Sequence, residues 1–381
     1  MVSGCGAQGH PVAGEIDVRT LDVGNYPVNG FHYDQDAQGH GALLEGMRMS
    51  AALVPSVRID PSLNIGFTPT VHTKDQLDDV VKVDGLAGVS IPVLQNRGFL
   101  VDYSAGGSDR PESDVSQPNS NGVTMVLLRF PTTDAATLAS HELEDADYSV
   151  ARQQNQRLSI DAYPDALIHW RPGVNNIGAW MARKDFVLTL FVSTLSADQQ
   201  TLLSMVRKTL DAEVPAIDAF QETPTDKLDS LRVDPDNLLA RTVVAQRNPA
   251  RAPDPSNFAV YHANDFVDDS QDEATRQQLV DTGKVDEVGV VDNDVLLRTG
   301  DQAASVALVS DLVGHLGDSY VAAAAPPKVP DAKCVQNTGG SATAYRCYVA
   351  YKRYVAVLNS TTASDAQQQA AAEYALLANS M

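Results

Sequence analysis

A proline-rich stretch at residues 221–256 limits what this chain can fold into, because it interrupts regular structure beyond the middle of 381 residues. It holds five prolines among Asp, Asn and Arg residues, and domain boundaries fall in such polar stretches. A chain of this length also exceeds the usual size of one domain. We therefore predict a tether at 1–16, an N-terminal domain at 17–222, a linker at 223–256 and a C-terminal domain at 257–381.

Similar patterns of apolar residues recur on both sides of this stretch. Before it they predict a buried strand at 123–130, a helix at 135–154, strands at 166–171, 178–183 and 186–192, and a helix from 196. After it they predict a strand at 259–261, a helix at 272–281, a hairpin at 285–297, a helix at 301–320, strands near 334 and at 345–358, and a helix from 364. A further strand is expected within 91–103. The fold class is therefore α+β, with two domains that are each a mostly antiparallel sheet flanked by helices. The recurring order suggests a degenerate internal duplication.

The charge balance excludes several kinds of partner. The chain carries 28 basic and 49 acidic residues, a formal net charge of −21. Such a surface repels nucleic acid and anionic lipid headgroups, so neither is an expected partner. The sequence contains no run of the roughly 18 apolar residues that a spanning helix needs.

Three cysteines indicate where the protein is located. The residues Val2-Ser3-Gly4-Cys5 are typical of the end of a lipobox, in which small side chains precede a cysteine that becomes lipidated. The charged and apolar regions of a signal peptide do not precede it, and we expect a start assigned too late or a shortened chain. Cys334 and Cys347 form an even pair on either side of a Gly-rich turn, which in an exported chain predicts a disulfide. Lipid on Cys5 would hold the protein at the outer face of the cell membrane.

Motifs that suggest catalysis or metal binding are incomplete. His141-Glu142-Leu143-Glu144 lacks the second histidine of a metalloprotease helix, because position 145 is Asp. Asp292-Asn293-Asp294 lacks the glycine and glutamate of a calcium loop, and Gly317-Asp318-Ser319 ends a predicted helix instead of following a strand. No nucleophile elbow or phosphate loop occurs, and no dinucleotide-binding glycine motif follows a predicted strand. We predict no catalytic residue, no metal and no cofactor, although a triad assembled from distant residues stays open.

One aromatic group is a candidate ligand site. His169-Trp170-Arg171 and Trp180 place both tryptophans of the chain on adjacent predicted strands, where they could line a pocket with Arg171 facing an anion. Packing of Trp170 and Trp180 in the core is the alternative that we favour, because large aromatic residues fill cores more often than clefts. Tyr345 and Tyr351 are expected to share a strand face with Cys347, and Tyr348 and Tyr354 to share the other.

Three stretches together carry a family resemblance. They are Gly14-Glu15-Ile16-Asp17 with 21–27, Leu44-Glu45-Gly46-Met47-Arg48-Met49, and Arg346-Cys347-Tyr348-Val349-Ala350-Tyr351 followed by Asp365-Ala366-Gln367-Gln368. They resemble a family of envelope lipoproteins of mycolic-acid-bearing actinobacteria that has no assigned activity. The last stretch is also similar to extracellular sensor modules of some actinobacterial receptor kinases. The resemblance implies export, lipidation at Cys5 and a two-part α+β body.

These observations predict an exported, lipid-anchored envelope protein that is not an enzyme and acts as a binding module. Its expected partners are the membrane, through the lipid on Cys5, and an envelope protein or a small apolar ligand. An alternative is a solute or lipid carrier for an envelope transporter, which predicts a mostly apolar pocket of roughly 300–1,000 Å³ between the domains. A less favoured alternative is an envelope hydrolase.

Overall fold

The computed structural model describes residues 16–33, 36–111, 120–340 and 343–380. It contains two seven-stranded sheets in which every strand pair is antiparallel. The N-terminal sheet consists of β1 (Ile65–Gly66), β2 (Val101–Ser108), β3 (Gly122–Arg129), β4 (Gln156–Ile160), β5 (Tyr163–Trp170), β6 (Asn176–Arg183) and β7 (Phe186–Ser193). The C-terminal sheet consists of β8 (Phe258–His262), β9 (Glu287–Val291), β10 (Asp294–Arg298), β11 (Tyr320–Ala323), β12 (Lys333–Asn337), β13 (Tyr345–Tyr351) and β14 (Tyr354–Ser360).

Helices flank both sheets. They are α1 (Gly41–Arg48), α2 (Ser56–Ile59), α3 (Leu77–Lys82), α4 (Ile91–Arg97), α5 (Thr133–Val150), α6 (Gln199–Ala219), α7 (Ala263–Asp268), α8 (Glu273–Gly283), α9 (Gln302–Gly314) and α10 (Ala363–Asn379). The predicted two-domain α+β fold is confirmed. Among the described residues, no helix is both long and apolar enough to cross a membrane.

The two sheets have the same connectivity. Their strand orders are β1-β2-β3-β7-β6-β5-β4 and β8-β9-β10-β14-β13-β12-β11, so each strand of the first sheet corresponds to the strand seven places later. A long helix follows the third strand of each sheet (α5 and α9), and another follows the last strand (α6 and α10). The recurrence that the order of elements suggested is therefore a repeated topology.

A short sequence repeat marks the same place in both sheets. Residues 126–129 end β3 with Val-Leu-Leu-Arg, and residues 295–298 end β10 with the same four residues. In both copies the helix cap comes three residues after the arginine. Thr132 accepts a hydrogen bond from the Ala135 amide, and Asp301 accepts one from the Ala304 amide. The strand, turn and cap thus recur without a gap.

Two segments differ from the sequence-based expectation. Residues 91–97 form α4 and not a strand, because Pro92 lies in the first turn, where proline is tolerated, and Gly98 ends the helix at φ +72°. The long strand expected at 345–358 is a hairpin, β13–β14, which turns at Lys352 with φ +48°. Tyr354 therefore pairs with Tyr351 and lies on the face of Cys347, not on that of Tyr348.

The predicted disulfide is confirmed. Cys334 on β12 lies directly opposite Cys347 on β13, with 4.1 Å between the Cα atoms, and the two sulfurs are bonded. Both cysteines are buried in the core cluster that α10 covers.

Segments outside the sheets join the two domains. Apolar residues within the segment 16–28 pack against the core of the C-terminal domain, and Leu21 is buried there. In 223–256, Val233 and Leu239 belong to the N-terminal core cluster, whereas Leu238 and Val243 belong to the C-terminal one. The N-terminal cluster also includes Phe258 of β8. The apolar core is therefore continuous across the domain border.

Candidate functional site

A cavity of about 630 Å³ lies between the two domains. Helix α1, the C-terminal end of α6, residues 230–235 and strand β8 enclose it. Most of its wall is apolar, with side chains that include Leu44, Met47, Phe220, Leu231, Val233 and Val260. Size, apolar walls and a position at a domain border are typical of small-molecule sites.

Helix α1 forms one wall because of its residue spacing. Leu44 and Met47 are three residues apart and so lie on the same helix face. Gly46 points the other way, where an added Cβ would lie only 2.5 Å from the side chains of Val71 and Val101. Only glycine allows α1 to approach the sheet this closely, and that approach fixes the wall of the cavity.

A buried ion pair positions α1 against the residues that follow α6. The Glu45 and Arg129 side chains are fully buried and paired. Glu45 also accepts a hydrogen bond from the Thr223 amide at 2.9 Å and pairs with Arg48. The Arg48 guanidinium donates to the Gln221 carbonyl at 3.1 Å and lies 5.5 Å from the centre of the Phe220 ring. Glu45 thus contacts two arginines, Arg129 and Arg48, so this side of the cavity rim keeps a positive charge.

Of the other titratable groups at the rim, Arg232 is a cation, whereas the charges of His262 and Glu287 are reduced near neutral pH. Burial lowers the pKa of His262, whose Nδ1 accepts a hydrogen bond from the Asn264 amide. Burial raises the pKa of Glu287 to about 7, although Arg298 lies 2.8 Å away. At the rim, the charged groups near neutral pH are therefore mainly Arg48 and Arg232, beside walls that are mostly apolar.

A second concave region lies on the N-terminal sheet, on the face that α5 covers in part. Two adjoining cavities of about 340 and 460 Å³ share Thr124, Asn176 and Phe191 in their walls. Phe191 is 42% exposed, and Val83 and Val150 near the same cavities are 57% and 64% exposed. This region is more polar than the cavity between the domains.

The predicted ligand group Trp170, Arg171 and Trp180 lies at this second region but does not form one surface. All three residues contact the 340 Å³ cavity. Trp170 pairs with Ile177, and Trp180 pairs with Leu167, so the two indole rings leave opposite faces of the sheet. Both tryptophans are over nine-tenths buried in core clusters, whereas Arg171 is exposed. Trp180 instead stacks on His169, with 5.0 Å between ring centres.

The motifs that were set aside as metal or calcium sites lie on α5 and at the β9–β10 turn. His141 is exposed on α5, and Glu142 beside it pairs with Arg97. Asp292 occupies the β9–β10 turn with φ +55°, and Asp294 accepts a hydrogen bond from the Asn359 amide at 2.8 Å. The predicted lipid site Cys5 lies outside the described residues.

A buried group that sequence analysis missed joins a histidine to two aspartates. His72 Nδ1 lies 2.8 Å from Asp84 and 3.7 Å from Asp102, and all three residues are buried. Burial and the neighbouring Asp84 raise the pKa of Asp102 well above its usual range. The three residues come from a loop, the end of α3 and strand β2, so no short motif could reveal them.

Buried carboxyl groups also cluster at the domain border. Glu273 at the start of α8 accepts hydrogen bonds from the Ser56 hydroxyl at 2.9 Å and the Val57 amide at 2.8 Å. Burial raises the pKa of Glu273 to about 7. Burial and Glu273 raise the pKa of Asp268, and burial raises that of Glu213. This border is therefore sensitive to pH.

The fold and the cavity together define a two-domain α+β protein built from one repeated sheet topology. Residues 32–233 match the N-terminal part of a domain of unknown function, DUF7373, and residues 238–380 match its C-terminal part. The chain belongs to this family. The prediction of a family without assigned function is confirmed, whereas its envelope and lipoprotein character stays a prediction.

Comparisons with individual proteins add little. No curated protein matches the chain. Among solved structures, the chain is similar to the crystal structure of the extracellular domain of PknH from Mycobacterium tuberculosis, with 14% identity and a TM-score of 0.31. That match covers 44% of this chain and 94% of the other.

Proposed function

We propose that this protein binds a small, mostly apolar ligand in the cavity between its two domains, as an exported and lipid-anchored envelope protein that is not an enzyme. The observation that carries the proposal is the cavity of about 630 Å³ with mostly apolar walls at the domain border. It matches the pocket expected of a carrier in volume, polarity and position. Delivery of the ligand to an envelope transporter is the narrower form of this proposal.

The rim favours binding over catalysis. In the described part of the chain, histidine side chains that form hydrogen bonds do so with carboxylates, amides or main-chain atoms. A hydrolase of the serine or cysteine type would need a histidine beside a hydroxyl or thiol nucleophile. At the cavity, His262 is engaged by the Asn264 amide and Arg48 by Glu45.

Export is supported by the disulfide and by the sequence around Cys5. The Cys334–Cys347 bond fits an oxidising compartment. Lipidation of Cys5 would then hold the protein at the outer face of the cell membrane. The mass of the N-terminal peptide from protein extracted out of its own membranes tests this directly. Diacylglycerol mass on that peptide supports the anchor, and an unmodified cysteine rejects it.

A cavity-filling variant tests the binding site. Ala216 on α6 lines the cavity, so Ala216→Trp would occupy part of its volume. Ala307→Trp on the exposed side of α9 is the matched control, because it adds the same side chain away from the cavity. We expect saturable binding of the probe 1-anilinonaphthalene-8-sulfonate to the wild type and to A307W, and at least tenfold weaker binding to A216W. Equal binding by all three folded proteins would reject the cavity as the site.

A further inference from the structure

We propose that His72, Asp84 and Asp102 bind a divalent transition-metal ion, with Zn²⁺ as the best fit, at the wall of the concave region on the N-terminal sheet. The site is separate from the ligand cavity of the proposed function. His72 Nδ1 lies 2.8 Å from Asp84 Oδ2 and 3.7 Å from Asp102 Oδ1. One ligand atom from each of the three residues lies within 4.8 Å of the others, close enough to surround one ion.

The charge of this group calls for a cation. The side chains of Asp84 and Asp102 are 1% and 0% exposed, and that of His72 is 10% exposed. Two buried carboxylates beside one imidazole leave negative charge that needs a proton or a metal ion. In the part of the chain that the structure describes, the ion pairs of Asp84 and Asp102 are with His72 and not with an Arg or Lys side chain.

A polar atom at the group lacks a partner. Asp102 Oδ1 accepts a hydrogen bond from the His72 amide at 2.7 Å, but Asp102 Oδ2 is buried and has no hydrogen bond. The carboxyl groups of Asp84 and Asp102 interact with each other, so the carboxyl group that carries this oxygen belongs to the same cluster. A metal ion would satisfy it, since buried polar atoms are rarely left without a partner.

The ligand types favour a transition metal over calcium or magnesium. Imidazole nitrogen with carboxylate oxygens suits Zn²⁺ and related ions, whereas calcium and magnesium take oxygen ligands. Thr70 donates to Asp84 Oδ1 at 2.5 Å and thereby orients that carboxylate, as supporting residues around metal ligands do. Asp84 lines both cavities of the concave region, which gives an ion a path from solvent.

A bound ion would fasten the loop at residues 70–84 to strand β2. His72 precedes α3, Asp84 follows it, and Asp102 lies on β2. The metal would therefore stabilise the wall beside Phe191 rather than act on a substrate. We therefore expect the metal content and the thermal stability of the protein to change together.

Metal binding to the full chain tests the proposal. After removal of metals with EDTA, we expect calorimetry with Zn²⁺ alone to show one equivalent bound and the midpoint of thermal unfolding to rise. Asp102→Asn preserves shape and keeps an oxygen for the His72 amide, so the variant should fold. It should bind Zn²⁺ at least 100-fold more weakly and lose the rise in the midpoint.

Another histidine with two carboxylates provides the control. His169 contacts Glu144 and Asp147 through different ring nitrogens, each at 3.0 Å, and Arg157 offsets Glu144. His169→Gln should leave Zn²⁺ binding unchanged. The proposal is overturned if the wild type binds no Zn²⁺, or if D102N binds as tightly as the wild type, which would indicate adventitious binding at surface histidines. X-ray absorption of the Zn²⁺ complex gives a second readout, with one nitrogen among oxygen ligands expected.

Discussion

The N-terminal and C-terminal domains share one sheet topology but differ in what lies on the equivalent sheet face. In the C-terminal domain, the face under α9 is packed with apolar side chains such as Leu297, Val335 and Val355. In the N-terminal domain, the corresponding face holds the buried His72 group and the exposed ring of Phe191. Buried ionisable groups cost stability. The C-terminal domain also buries ionisable groups, but Asp294 contacts Gln369 of α10 and Glu373 lies on α10, so neither belongs to the face under α9.

The strand registers show the divergence position by position. Arg129 pairs with Phe186 in the first sheet, and Arg298 pairs with Tyr354 in the second. Counting along the strands from these pairs, Thr189 corresponds to Val357 and Phe191 to Asn359. The C-terminal copy instead has a disulfide and an alanine-rich α10 in which residues 369–377 are all buried. The C-terminal domain is therefore densely packed, which suits a structural role.

The largest expected difference between the domains concerns their equivalent arginines. Arg129→Met removes the fully buried cation that pairs with Glu45, leaves only the 41% exposed Arg48 beside that carboxylate, and should lower the free energy of unfolding by about 3–5 kcal/mol. Arg298 pairs with Asp236, Asp286 and Glu287 at a site that is 17% exposed. Arg298→Met should cost about 1–2 kcal/mol. Denaturant unfolding measures both values.

A double variant checks the reason for that difference. Replacing both members of the buried pair, as in Glu45→Leu with Arg129→Met, removes the unpaired charge and should recover much of the loss. Equal losses of unfolding free energy for R129M and R298M would contradict the expected difference between the two equivalent arginines.

The disulfide gives the next largest effect, and it belongs to the C-terminal domain alone. Replacing both Cys334 and Cys347 by Ser opens a loop with a sequence separation of 13. The expected loss of unfolding free energy is on the order of 3 kcal/mol. Thermal unfolding of the oxidised wild type, the reduced wild type and the double variant measures it. A double variant as stable as the oxidised protein would contradict a structural role for the bond.

The smallest expected effect is a pH dependence at the border between the domains. Glu273 has a pKa of about 7 when folded, raised by burial from 4.5. The folded state then holds a proton that the unfolded chain releases above about pH 4.5, so stability is greatest in mild acid and falls until pH passes 7. Between pH 5.5 and 8 the loss from this group is on the order of 2 kcal/mol.

A matched variant isolates the carboxyl group. Glu273→Gln cannot ionise, and it keeps an oxygen to accept from the Val57 amide while its NH2 group can donate to the Ser56 hydroxyl, which also bonds the Leu63 carbonyl. Unfolding of E273Q at pH 5.5 and 8 should show a smaller difference than the wild type, with the remainder due to Asp268 and Glu213. A wild type that is more stable at pH 8 than at pH 5.5 would contradict this explanation, which predicts that stability falls with rising pH.

Helices and strands could be predicted from the sequence better than the contacts between distant segments of the chain. Apolar periodicity located β3, β7 and α5, because each forms from neighbouring residues. The aromatic pair Trp170 and Trp180 needed the strand register, which depends on the turn between β5 and β6. A pocket between the domains was one expectation, but its lining residues could not be predicted from the sequence, since Leu44, Phe220 and Val260 meet only when the domains dock. The His72 group was missed for the same reason, as its members are brought together by a loop.

The most direct measurement of the central claim is native mass spectrometry of wild type and A216W extracted from their own membranes in mild detergent. The account predicts that the wild type releases one equivalent of a small molecule, and that folded A216W carries much less of it. A small molecule retained fully by A216W would contradict binding between the domains. A wild type that carries a protein partner and no small molecule would reject the ligand proposal and favour a protein-interaction module.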